Sequence, residues 1–214
     1  MTRESKLQVE RKVVEVLGDL YGSYHQLPKL SEENVEWLKE RVGIDPHHKT
    51  AEHDAGGLND DFPVGRGIFI QDQKDFVVLV NFEDHIKIIV LRDDLSDKGH
   101  LDTLQLGFAR AIKLLQTFEK IGFATDPYLG YLTVSPQNLG TAMQLEAKMK
   151  FPSDRSIDKN LKNLLTEDKK MSYEQTQFSE HILKTTQTLC QNLNEVAQIS
   201  EFIISLDQIA NKVN

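Results

Sequence analysis

A chain of 214 residues is long enough for one well-packed domain, or one domain with an appendage. With 39% hydrophobic and 27% charged residues, it has the composition of a globular protein rather than a disordered or fibrous one. The net charge of -8 argues against a nucleic-acid surface, which needs clustered Lys and Arg, and no apolar run reaches the roughly 20 residues that span a bilayer.

The N-terminus, MTRESKLQVERKVVEVL, is charged and lacks the apolar core of a secretory signal. A single cysteine, Cys190, excludes an internal disulfide and fits a reducing compartment, so the expected location is intracellular, most simply cytoplasmic, with an organelle or cytoskeletal assembly left open. Residues 5–20 place Leu7, Val13, Val14, Leu17 and Leu20 at helical spacings, and Gly18 and Gly22 mark the way out. Ser31 then opens a second helix, with Val35, Trp37, Leu38 and Val42 on its apolar side.

Residues 43–67 are rich in Gly, Pro, Asp and His, which is loop chemistry. The histidines His47, His48 and His53, with Glu52 and Asp54, match no structural-zinc spacing, so no metal site is assigned. The "GRG" at 65–67 lacks the Lys and Ser/Thr of a P-loop. From Phe76 to Val90, FVVLVNFEDHIKIIV, two β-branched runs surround an acidic, histidine-bearing break and predict an antiparallel hairpin. Its tip is either a catalytic turn or a solvated one.

Helical spacing returns over 101–121 through Leu104, Phe108, Ile112, Leu115 and Phe118, ended by Gly122. LGYLTVSP and MQLEAKMKF predict two more strands around a PQNLG turn. From Ser153 onward there is neither Gly nor Pro, and this stretch predicts helices: a short one near 156–166 and a long one from about Tyr173 to the end. A seam of Leu189, Leu193, Val196, Ile199, Ile203, Leu206, Ala210 and Val213 runs along the long helix, which would either pack on its own domain or dock on another chain. The division expected is therefore a domain over 1–152 and a helical C-terminal extension over 153–214.

Three motifs decide the family. FPVGRGIF at 62–69, VNFEDHIKII at 80–89 and YLGYLTVSPQNLGTAM at 128–143, in this order, resemble the phosphagen kinases, the ATP:guanidino phosphotransferases such as arginine and creatine kinase. There the matching stretches read WPxGRGIF, NEEDHLRII and LGFLTFCPTNLGTTMRA, and ERKVVEVLGDLYGSYHQLPKL is similar to the segment ahead of the family's catalytic sheet. The resemblance runs from about residue 3 to Pro152. It implies an α+β fold, a mostly antiparallel sheet flanked by helices of the glutamine synthetase/guanidino kinase type, here with a long C-terminal helix.

The resemblance also assigns residues. Glu83 falls on the carboxylate that orients the guanidinium of the acceptor, Lys87 on an arginine that grips phosphate, and Gln144 on another such arginine. Lysine keeps a charge but loses the planar fork, and glutamine keeps no charge. The first glutamate of NEEDH falls on Phe82, the cysteine of LTFCPTNLG on Ser135, and a second-helix histidine on Arg41. Neither the family's upstream Ser-Ser-Arg-x-Arg segment, nor its small N-terminal domain, nor its RGTRGEH loop has a counterpart here. The expectation is a phosphagen kinase-like protein that is inactive as a transferase, needs no cofactor, and serves as a structural subunit of a hetero-oligomer through its C-terminal helix. The alternative is a residual transferase or nucleotide-binding subunit completed by a partner chain, which alone would need ATP and Mg.

Overall fold

The computed structural model describes residues 2–49, 54, 57, 59–92, 100–134, 138–150, 171–175, 180–185 and 194–213. They fall in two compact units, Met1–Gly122 and Phe123–Asn214.

The first unit opens with α1 (Arg3–Leu17), started by the Thr2 side chain, which accepts from the Ser5 N–H. Strand β1 (Gly22–Gln26) follows, where the two glycines predict a break. Helix α2 (Glu32–Trp37) is capped by Ser31, whose Oγ accepts from the Asn34 N–H at 3.3 Å, as its position predicts. It runs on as a wider turn, Leu38–Val42, that ends at Gly43 with a left-handed φ of 77°.

Strands β2 (Gly67–Gln71), β3 (Phe76–Val80) and β4 (Ile86–Val90) complete an antiparallel sheet of order β1-β2-β3-β4. The hairpin read from FVVLVNFEDHIKIIV is present, with Phe76 opposite Val90 and Val80 opposite Ile86. Both central strands are buried along their whole length, which is why GIFIQ and FVVLV are near-continuous apolar runs rather than alternating ones. Ile68, Ile70, Val77 and Leu79 pack with Leu38 and Val42, while α1 packs against β3 and α3 (His100–Phe118) against β4. At about 1.5–3 kcal/mol per fully buried apolar side chain, this sheet is the main source of stability in the unit.

In the second unit, β5 (Thr125–Asp126) pairs with β6 (Gly130–Tyr131), so LGYLTVSP supplies two residues of strand among its described residues. Strand β7 (Glu146–Lys150) lies within MQLEAKMKF and begins a second sheet. That sheet corrects the reading of the C-terminal region. Residues expected in a long helix from Tyr173 form β8 (Met171–Gln175) and β9 (Glu180–Thr185), with order β7-β9-β8. Cross-strand pairing overrides the helix propensity of a stretch rich in Glu, Gln, Lys and Leu. Since β9 pairs with β7, Pro152 does not separate a kinase-like part from a helical extension.

The helical part is α4 (Glu195–Val213), and its buried face takes in part of the predicted seam: Leu206 is buried and Ile199 and Ile203 are partly buried, while the seam residue Val196 faces outward. Gln198, Phe202, Ser205, Leu206 and Ile209 are buried, whereas Val196 is 67% exposed and Ile204 50%. The expected helix near 156–166 and the seam residues Leu189 and Leu193 lie outside the described residues.

Candidate active-site turn

The tip of the β3–β4 hairpin runs from Asn81 to His85. Asn81 takes a left-handed φ of 57°, a conformation that asparagine tolerates better than most residues, and its N–H donates to the His85 carbonyl at 3.0 Å. Its side chain is 1% exposed. The carboxamide Nδ2 donates to the carbonyls of Lys6 (2.9 Å) and Gly65 (2.7 Å), and Oδ1 lies 2.9 Å from His85 Nδ1. Burial lowers the His85 pKa, against the nearby Asp84 carboxylate, which raises it.

Two of the three residues singled out from sequence meet at this turn. Lys87 Nζ lies 3.4 Å from Glu83 Oε2, with both side chains about one-third exposed (37% and 31%). Gln144 is exposed and belongs to the second unit, two residues beyond Ala142, whose φ is 52°. There Gln198, fully buried, donates to the Met143 carbonyl and accepts from the Thr141 hydroxyl, so α4 holds the segment that leads to Gln144.

Next to the turn lies a buried cationic cluster that sequence reasoning missed. Arg66 is 2% exposed; its guanidinium donates to Asn59 Oδ1 at 3.2 Å and sits 4.9 Å from the Phe62 ring centroid and 5.6 Å from that of Phe82. Where the resembling motif has a glutamate, this chain thus lays an aromatic ring near a guanidinium. Lys6 is 1% exposed and donates through Nζ to the Asp60 carbonyl; burial, then the Arg66 charge, lowers its pKa, and Asp60 and Asp61 oppose the shift.

The two glycines of GRG have separate reasons. Gly65 has a φ of 70°, and a Cβ there would sit 2.9 Å from Lys6 Cβ on α1. A Cβ on Gly67 would fall 2.1 Å from the Tyr24 hydroxyl oxygen, which donates to Glu10 Oε1 at 2.8 Å. GRG is therefore packing chemistry between α1, β1 and the turn. Arg41 is exposed at the end of the second helical segment, while Ser135, Glu52 and His53 lie outside the described residues. No group of three or more His, Cys, Asp or Glu among the described residues could hold a metal ion.

The family model for the ATP:guanido phosphotransferase C-terminal catalytic domain matches residues 7–212. The chain belongs to this phosphagen kinase family. The match continues well beyond Pro152, in agreement with the strands found at 171–175 and 180–185. An arginine kinase of Anthopleura japonica is 34% identical over 175 residues, covering 78% of this chain and 23% of that protein. A taurocyamine kinase of Schistosoma mansoni is 34% identical over 161 residues, covering 73% and 21%. The solved structure of the duplicated Schistosoma mansoni taurocyamine kinase with bound transition state analog components superposes with a TM-score of 0.80 at 27% identity, over 98% of this chain and 29% of that one. Lombricine kinase, at 19% identity and a TM-score of 0.81, shares the fold. The chain spans less than half the length of the curated relatives it matches. No helix among the described residues is long and apolar enough to cross a membrane.

Proposed function

We propose that this chain is a phosphagen kinase fold without phosphoryl-transfer activity, acting as an interaction subunit of a larger assembly. The observation that carries the reading is the Glu83–Lys87 pair at 3.4 Å. By resemblance, Glu83 should face a guanidinium and position 87 should face phosphate. Here the carboxylate and the cation neutralise each other. Phosphoryl transfer depends on cations placed around the phosphates and on donor and acceptor held in line. Lys87 lacks the bidentate fork, and Gln144 contributes no charge. Each lost charge-assisted phosphate contact costs about 1.5–3 kcal/mol, and the loss falls on the transition state. The residues present do not fit a phosphate cradle, so no step of transfer is assigned to them.

The kinase names of the relatives favour a second reading, a nucleotide-binding or transferring subunit completed by another chain. A coupled assay with MgATP and arginine or taurocyamine separates the two, together with the melting temperature in MgADP, which must rise if nucleotide binds the native state. No turnover and no shift are expected. Turnover that disappears in Glu83→Gln overturns the proposal.

A further inference from the structure

Asn81 does more than turn the chain. A carbonyl oxygen can only accept, so the carboxamide atom facing both the Lys6 and Gly65 carbonyls must be the NH2 group. The other carboxamide atom is then the oxygen, and it lies 2.9 Å from His85 Nδ1. An amide oxygen cannot donate, so the hydrogen in that contact belongs to the imidazole. We infer that Asn81 is the positioning residue of the Glu83–Lys87 turn and that it fixes neutral His85 in the Nδ1–H tautomer, leaving Nε2 as a hydrogen-bond acceptor at the tip.

The geometry makes the two roles one device. Lys6 stands on α1 and Gly65 on the segment entering β2, 75 and 16 residues from Asn81 in sequence. One buried side chain therefore ties the tip to two distant segments and orients the ring that closes the turn. Free histidine favours the opposite tautomer, with the proton on Nε2, so the tautomer at His85 reports directly on the Asn81 contact.

The test is a long-range 1H–15N correlation spectrum of the His85 ring in the whole chain, above the ring's pKa. The expected signature is a protonated Nδ1 and an unprotonated Nε2; finding the proton on Nε2 overturns the inference without any variant. Asn81→Gly then separates side chain from backbone, because glycine adopts the left-handed φ freely. The proton should move to Nε2, and amides of residues 82–85 should exchange about tenfold faster, the equivalent of one net hydrogen bond, with those of α3 unchanged. An unchanged tautomer in the glycine variant would mean that Asn81 supplies only backbone conformation. Asn81→Asp can accept from His85 but cannot donate to Lys6 or Gly65, so it should keep the Nδ1 proton while the amides still exchange faster. If Asn81→Asp instead leaves exchange at 82–85 unaltered, the tie to α1 and Gly65 is not what positions the turn.

Discussion

The Lys87 ammonium closes on the Glu83 carboxylate four residues before it, at 3.4 Å. This pair occupies the turn where the family resemblance would have each group face a ligand. It is also partly solvated, and exposed pairs contribute only about 0.2–1 kcal/mol. Lys87→Met should therefore change the urea midpoint by an amount equivalent to less than about 1 kcal/mol. A larger loss would show that the pair stabilises the fold.

Restoring cations tests the proposed loss of phosphate binding directly. Under the proposed reading, Lys87→Arg combined with Gln144→Arg should produce a larger melting-temperature rise in MgADP than the wild-type chain gives, since by resemblance both positions hold arginines whose guanidinium grips phosphate bidentately. If the double variant shows no rise, loss of these two arginines is not what separates this chain from nucleotide.

Gly67→Ala puts a methyl group where the Tyr24 hydroxyl now lies, 2.1 Å from it. Tyr24 is held there by its bond to Glu10, so moving away would cost that bond and leave the buried carboxylate only the longer one from Gln26 at 3.4 Å. The expected cost is about 1–3 kcal/mol of overpacking, read as a lower urea midpoint with an unchanged slope.

The titration of His85 gives stability a pH dependence with a definite sign. Burial holds its folded pKa below the ordinary 6.5, so between the lowered value and 6.5 the unfolded chain binds the extra proton. Its contribution is therefore complete above 6.5 and lost as pH falls through that window. The slope from one such group is at most about 1.4 kcal/mol per pH unit. Urea midpoints measured across the window should fall with pH, and His85→Gln should flatten that dependence.

On α4, Phe202 is 1% exposed and Val196 67%. Phe202→Ala should cost about 3–5 kcal/mol, whereas Val196→Asp with Ile204→Asp should leave the thermal transition almost unchanged. If association with a partner uses this helix, as the proposed interaction role expects, the aspartate pair should remove it. Unfolding of the aspartate variant would assign Val196 and Ile204 to the chain's own core.

The elements legible in the sequence were those whose apolar pattern matched a local period: α1, the Ser31 cap, the β3–β4 hairpin and α3. Strands β8 and β9 were not legible because MSYEQ and EHILKT have no strand signature of their own, and pairing with β7 decides their conformation. The face of α4 was legible in part, through Ile199, Ile203 and Leu206, and missed elsewhere for a related reason. Its buried stripe contains Gln198, a polar residue whose partners are the Met143 carbonyl and the Thr141 hydroxyl, while apolar Val196 points outward. Motif comparison singled out Glu83, Lys87 and Gln144, of which Glu83 and Lys87 meet at the turn. It gave no sign of Arg66 under Phe82, or of Asn81 tied to Lys6, since no local period reports contacts between residues that far apart.

The burial of β2 and β3 on both faces bears on how such a chain changes over generations. Ile68, Val77, Val78 and Val80 are each fully buried, so almost any polar replacement there would unfold the protein. One residue past the buried Asn81, the side chains of Phe82, Glu83, Asp84 and His85 are only partly buried. Residues that hold the architecture and residues that could touch a ligand are thus segregated along a single hairpin. Under the proposed reading, a lineage released from selection for phosphate binding could rewrite the tip while purifying selection on the strands continued, and a recognisable kinase scaffold with altered chemistry would result.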